Sequence, residues 1–380
     1  LIAEKICAHP HQRITFAQFM DLALYQSQYG YYASGSVQLG AQGDFFTAPE
    51  VSADFAQLLA EQFVQMWLIL EKPDPFTLVE MGAGSGILAR DLLRYVNDQY
   101  SEFATTLDYC ISERSTILIQ LQQACLAGIS SVRWQSFDQI DPASITGCFF
   151  SNELVDAFPV HQVTIQGGKL QEIYITVMEQ GSQLVFEEVL GDLSTPALAD
   201  YFQLVGINIF DPLYPEGYRT EINLAALDWI KTVADRLKQG YLLTIDYGYP
   251  AHRYYHPARS QGTLLAYRHH TTNDSPYTCI GQQDLTAHVD FTALEKAGLQ
   301  WGLHWHGLTQ QSLFLASLGL LDRIAALSQS TADLRTVLQR RQALHWLMDP
   351  TGLGNFGVVI QSQGLTPQQQ QIPLKGLTPL

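Results

Sequence analysis

The stretch TLVEMGAGSGILARDLL, Thr77–Leu93, decides the fold. It runs from apolar residues through three glycines into an amphipathic segment, so it predicts a buried strand, a bare turn and a helix. Glycine lets a ligand approach the backbone closely, and the first turn of a helix offers unpaired N–H donors. Glu80, two places before Gly82, adds a carboxylate where the strand ends.

Outward from this corner the pattern repeats. LDYCISE, VRWQSF, GCFFSNE and YLLTIDYG read as further strands, and STILIQLQQACLAG as a helix stopped by Gly128. GLQWGLHWHGL and NFGVVIQSQ supply two last strands, with helical segments from Gln311 to Met348 between them. The spacing predicts an α/β fold, Rossmann-like, with a mostly parallel seven-stranded sheet. Ala48–Leu70 reads as one helix before it, and residues 1–43 as a helical N-terminal segment. Val160–Gly191 alternates with period two around QGGK and EQGSQ, so an antiparallel insertion is expected, with residues 161–240 as its span. A helix closed by Gly240 follows. Tyr249–Asp290 reads as a long functional loop. Residues 44–160 and 241–361 then form the core, with 311–348 as a helical addition, and 362–380 a flexible Gln/Pro-rich tail.

Composition narrows the function. The formal net charge of -16 opposes binding to a phosphate backbone. Five cysteines with no CxxC pair argue against a disulfide framework or a zinc site, and for a reducing compartment. No apolar run reaches the roughly 18–20 residues of a membrane span. His269–His270 and His304–His306 lack Cys or carboxylate partners at ligand spacing, so no metal is expected.

Two ligand classes compete for the glycine turn. A dinucleotide fingerprint is GxGxxG, and here Ile87 stands where its third glycine belongs. S-adenosyl-L-methionine carries an ammonium and a sulfonium in place of phosphates, so Glu80 favours it. The pattern of two apolar residues, then E-x-G-x-G-x-G, is that of the first motif of class I methyltransferases. Glu113, ending the second strand, suits a bidentate hold on two ribose hydroxyls of either ligand. Phe137 and Asp138, after the third strand, suit an adenine: one by stacking, the other by accepting the exocyclic amine. A plain reading also fits each: Glu113 as a solvated strand end, Phe137 as a core ring.

Taken with GDFFTAPEVS (Gly43–Ser52), SNELVDAFPVH (Ser151–His161), IDYGY (Ile245–Tyr249), GTLLAYRHH (Gly262–His270) and GQQDLTAHVDF (Gly281–Phe291), the glycine motif resembles the MidA family of methyltransferases. The likeness runs from about Arg13 to Gln361. It implies a class I methyltransferase fold, S-adenosyl-L-methionine as cofactor, and a protein arginine as acceptor, in a respiratory complex I-type core subunit. Mitochondrial members of that family carry a transit peptide; none is visible here, which with the glutamine-rich tail leads us to expect a bacterial, cytoplasmic protein, with the mitochondrial matrix left open by a sequence that begins at Leu1. Cofactor contacts are expected from Thr47, Pro49 and Glu50, from Glu80, Gly82, Ala83, Gly84, Ser85 and Gly86, and from Glu113, Phe137, Asp138, Asn152 and Glu153.

An acceptor guanidinium needs carboxylates to hold its fork. Glu153 and Asp156 stand at the mouth of the fourth strand, three apart, on one side if the segment starts a helix. Asp246 ends the fifth strand, and His288 lies in the segment before Asp290; both join the catalytic candidates. SNELVDAFP reads alternatively as a capped turn with Asn152 as cap. Three other functions stay open: methylation of a small molecule, cofactor binding by a non-catalytic assembly chaperone, and a dehydrogenase.

Overall fold

The computed structural model describes residues 1–34, 47–129, 131–181, 183–268, 271–273, 275–329 and 333–378. The chain forms two compact units. One comprises 38–154, 231–247 and 298–380, and the other 1–37, 155–230 and 248–297.

The first unit holds a seven-stranded sheet. Its strands are β1 (Phe76–Met81), β2 (Leu107–Ser112), β3 (Val132–Trp134), β4 (Ile145–Asn152), β5 (Leu237–Asp246), β6 (His304–Gln310) and β7 (Gly357–Gln363). Their order is β6-β7-β5-β4-β1-β2-β3. The first five are parallel, and β7 runs antiparallel to both β5 and β6. Every residue of β1 is buried, as a central parallel strand covered on both faces requires. Strand order reverses between β1 and β4, so the carboxyl ends there open onto the crevice where ligands of such sheets bind.

Three helices frame that edge: α1 (Ala53–Ile69), α2 (Ile87–Gln99) and α3 (Thr116–Cys125). The expected helix Ala48–Leu70 is two. A short turn, Ala48–Val51, ends at Ser52, whose extended backbone (φ -160°, ψ 139°) lets its side chain accept from Asp54 N at 3.1 Å and start α1 afresh.

Gly240 does not stop a helix. The helix Leu224–Arg236 ends four residues earlier, and Gly240 lies inside β5 opposite Gly147 of β4, where a side chain would run into the Gly147 carbonyl. Nor are residues 362–378 a loose tail. Leu374 is buried, Gln62 Oε1 accepts from Gly376 N at 2.9 Å, Gln65 Oε1 from Lys375 N at 2.8 Å, and Gln369 donates to the Ile69 carbonyl at 2.9 Å. Gln369, one of the glutamines that suggest disorder by composition, satisfies backbone at the end of α1.

The second unit is built on an antiparallel sheet in which Lys169–Gln180 pairs with His161–Gln166, Gln183–Gly191 and Ile14–Thr15, and His161–Gln166 also pairs with Arg219–Ile222. The hairpins at QGGK and EQGSQ form as the alternation predicts. The N-terminal segment is part of this unit because Ile14 and Thr15 pair with Ile175 and Tyr174. The stretch Tyr249–Asp290 is not a loop: Leu265–Arg268 pairs with Thr271–Asn273 and Asp284–Thr286, and Gly248–Tyr249 with Val289–Asp290.

Candidate active site

The glycine turn is left-handed at each glycine: φ is 71° at Gly82, 53° at Gly84 and 81° at Gly86. A side chain at these positions would be strained whatever the space, so the sequence GAGSG is the conformation's requirement. Gly82 N donates to the Ser112 carbonyl at 3.1 Å, which ties the turn to the end of β2, and α2 begins directly after Gly86.

One carboxylate oxygen of Glu80 is held by the neighbouring strand. It is buried, and its Oε2 accepts from the Tyr109 hydroxyl at 2.7 Å. Burial raises its carboxyl to about 7, the Tyr109 bond opposes this, and the charge of Glu113 adds to it. Glu50 is half-buried and faces Ser85 of the turn through a side-chain hydrogen bond. Its Oε2 is shut off from solvent and accepts no hydrogen bond from any described residue, and burial raises its pKa. Thr47 precedes the short turn Ala48–Val51, and Pro49 in it leaves no N–H to satisfy at a helix start. Gly43–Phe46 of the same motif lie outside the described residues.

Glu113 follows β2. Its Oε1 accepts the backbone N–H groups of Arg114 (2.8 Å) and Ser115 (2.9 Å), and its Oε2 accepts from Gln122 Nε2 (3.2 Å). Burial raises its pKa, and the two backbone donors lower it. Phe137 opens a single 3-10 turn after β3, and its half-buried ring lies parallel to Phe149 of β4 at 6.1 Å and 8°. Asp138 beside it is exposed.

Glu153 and Asp156 share no helix. Glu153 sits at φ 52°, a conformation uncommon for a side-chain residue, and Asp156 lies in the 3-10 turn Val155–Ala157 that follows. Asn152 Nδ2 donates to Glu153 Oε1 at 3.0 Å, while Asn152 Oδ1 is buried and accepts nothing from the described residues. Glu153 N donates to the Ile245 carbonyl at 2.9 Å, which extends the β4–β5 pairing past Asn152. Asp246, fully buried at the end of β5, accepts its neighbour Tyr247 N at 2.9 Å. The parallel strands therefore bring the glycine turn, Glu113, Asn152, Glu153 and Asp246 to one edge of one sheet.

Asp156 and His288 belong to the second unit. There Asp156 is buried, and its carbonyl accepts from Ala287 N at 2.9 Å. The single hydrogen of the Tyr32 hydroxyl is shared by the two Asp284 carboxylate oxygens, at 3.0 and 2.9 Å. His288 stacks on Tyr249 at 5.2 Å. Burial first, then the charge of Arg259, lowers its pKa to about 4, so the imidazole is neutral at pH 7 and a weak base. Among the described residues no three His, Cys, Asp or Glu side chains are grouped to hold a metal; His269 and His270 lie outside them.

Sequence reasoning missed Gln122. It is fully buried on α3, donates to the Gly84 carbonyl at 3.1 Å as well as to Glu113, and accepts from Trp134 Nε1 at 3.0 Å. A signal existed: Gln122 stands four residues after Leu118, on the apolar stripe of its helix, where a polar residue demands a partner. Tyr109 was missed for the opposite reason, since a tyrosine in a strand reads as core.

The edge combines a bare backbone turn with acceptor oxygens: the Glu50 carboxylate, Asn152 Oδ1 and the Glu113 carboxylate. Glu50 Oε2 and Asn152 Oδ1, buried acceptors without donors among the described residues, suit a cationic ligand and disfavour a pyrophosphate.

The chain matches, over residues 58–309, the family described as "Putative S-adenosyl-L-methionine-dependent methyltransferase". It is similar to the mitochondrial protein arginine methyltransferase NDUFAF7 homolog of Drosophila melanogaster, 28% identical across 90% of this chain and 79% of that protein. NDUFAF7 of Homo sapiens is 26% identical, across 93% and 81%. A methyl-transferase-like protein of Burkholderia thailandensis, solved with S-adenosyl-homocysteine bound, superposes with a TM-score of 0.84 at 30% identity, covering 99% of this chain and 93% of that one.

Proposed function

Because the chain belongs to the family of S-adenosyl-L-methionine-dependent methyltransferases, we propose that it methylates a guanidinium nitrogen of an arginine in a protein. The enzyme class, the class I fold and the cofactor follow from the family and from the solved relative. The arginine acceptor is the reading that the relatives' names favour, and a respiratory complex I-type subunit is the acceptor that the family resemblance alone implies.

When bound, S-adenosyl-L-methionine supplies an electrophilic methyl group on a sulfonium. The chain's own residues would hold it as follows. The backbone of Gly82, Ala83, Gly84, Ser85 and Gly86 forms the floor. Glu50 Oε2 and Asn152 Oδ1, the two buried acceptors, fit its ammonium, with Thr47 and Pro49 shaping the turn that carries Glu50. Glu113 takes the ribose hydroxyls, and Phe137 and Asp138 the adenine. Glu80 remains among the expected cofactor contacts, with one of its two carboxylate oxygens held by Tyr109.

The observation that carries the acceptor reading is Glu153. A glutamate held at φ 52° costs conformational energy that a glycine would avoid, and such strain is tolerated where a side chain is needed at a fixed place. A carboxylate can grip the guanidinium fork and draw its charge away from the attacking nitrogen. Asp246 adds negative charge at the neighbouring strand end. The second unit offers Asp156 and a neutral His288 as polar groups for recognition of the acceptor protein.

The test is transfer of labelled methyl from S-adenosyl-L-methionine into an extract lacking this protein, followed by hydrolysis and amino-acid analysis. Label in methylarginine of one protein band supports the reading. Label confined to small molecules, or to another residue type, defeats it.

A further inference from the structure

Gln122 lies outside every motif that marks this family in the sequence, yet it has no exposed surface and uses its whole amide. The orientation of that amide is fixed by chemistry. An indole N–H only donates, so Trp134 Nε1 at 3.0 Å must face the amide oxygen. The two amide hydrogens then face two acceptors, the Gly84 carbonyl at 3.1 Å and Glu113 Oε2 at 3.2 Å. The contact with the turn is also steric: a Cβ on Gly86 would lie 3.2 Å from the Gln122 backbone, so the glycine turn packs directly on this helix position.

The consequence lies in Glu113. Its Oε1 is committed to two backbone N–H groups. Oε2 is the oxygen with capacity left for a ligand, and Gln122 supplies its donor. An amide bonded at once to the glycine turn and to this oxygen sets the distance between them. We infer that Gln122 is a positioning residue for ribose recognition: it holds Glu113 Oε2 in register with the Gly84 backbone, and Trp134 locks the amide so that it cannot flip. The inference rests on the reading of Glu113 as the ribose acid. It deepens that reading by naming what makes the acid selective.

The experiment is calorimetric titration of the wild-type chain, Gln122→Leu and Trp134→Phe with S-adenosyl-homocysteine and with its 2′-deoxy and 3′-deoxy analogues. Loss of one charge-assisted hydrogen bond corresponds to about 10–100-fold in affinity, so the wild-type chain should reject at least one of the deoxy analogues, the one lacking the hydroxyl that faces Oε2, by at least about 10-fold. In Gln122→Leu that rejection should shrink to about twofold while the parent ligand binds about 10-fold more weakly. Trp134→Phe keeps a ring and removes the lock, so it should lie between. A role in packing alone would lower the melting temperature, or weaken all three ligands equally, and leave the rejection ratio unchanged; that result overturns the inference. If Gln122→Leu does not fold, Trp134→Phe decides by the same ratio. A wild-type chain indifferent to both hydroxyls overturns the Glu113 reading itself. Wild-type rejection retained in both variants overturns only the role of Gln122.

Discussion

The Tyr109 hydroxyl donates to Glu80 Oε2 at 2.7 Å, from β2 to the end of β1, and both groups are buried. The bond explains how a carboxylate survives inside a parallel sheet next to the glycine turn. It also couples stability to pH.

Glu80 titrates near 7 in the folded chain, against 4.5 for the ordinary side chain. The folded state therefore keeps a proton that the unfolded chain releases, and this contribution is lost as pH rises from about 4.5 through 7. The shift is worth on the order of 3 kcal/mol. Asp290, raised from 3.8 to about 7 by burial, acts in the same direction. His288 and His306, both lowered from 6.5 to about 4 by burial, act oppositely and lose stability as pH falls from 6.5. Glu80→Gln should flatten the decline in denaturant stability between pH 5 and 7 and leave the acid limb unchanged. An unaltered slope on the neutral side would place the titration elsewhere.

Gly84 stands at φ 53°. A branched side chain there costs about 1–2 kcal/mol of backbone energy and projects from the turn that must approach the ligand. Gly84→Val should still unfold cooperatively, with S-adenosyl-homocysteine affinity reduced at least about 100-fold, on the order of what loss of two hydrogen bonds implies. Wild-type affinity in a folded variant removes the turn from the cofactor site.

Glu153 separates strain from function. Glu153→Gly suits φ 52°: it relieves about 1–2 kcal/mol of backbone strain against about 0.4–1 kcal/mol of entropy that glycine adds to the unfolded chain, so stability should hold or rise slightly while methyl transfer is lost. Glu153→Gln keeps the shape and should cut single-turnover transfer about 100-fold, with cofactor affinity nearly unchanged. Equal losses of affinity and rate would move Glu153 to the cofactor; an unchanged rate would leave it without a catalytic role.

The C-terminal segment should be essential to the first unit. Removing residues 364–380 exposes the faces covered by Leu365 and Leu374 and takes away the C-terminal partners of Gln62 Oε1, Gln65 and the Ile69 carbonyl. Burial of two leucines alone is worth about 3–6 kcal/mol. Thermal unfolding should shift down by many degrees, and a truncated chain with the full-length melting temperature would show the segment to be dispensable.

The sequence by itself determined the glycine turn, the seven strands and their alternation with helices, because apolar periodicity and left-handed glycines are local requirements that a chain must write into adjacent residues. It also pointed to Glu113 and Glu153, since acids after successive parallel strands fall on one edge by topology alone. It could not determine that Glu80 turns to Tyr109, that Gln122 joins the turn to Glu113, or that Gln62 and Gln65 bind the C-terminal segment from more than 300 residues away. Nor could it tell that Tyr249–Asp290 pairs into sheets, or that Ile14–Thr15 extends a sheet begun at His161. Those outcomes depend on which donors and acceptors meet once distant segments are buried together. A buried polar group must find a partner, but only the packed chain decides which one.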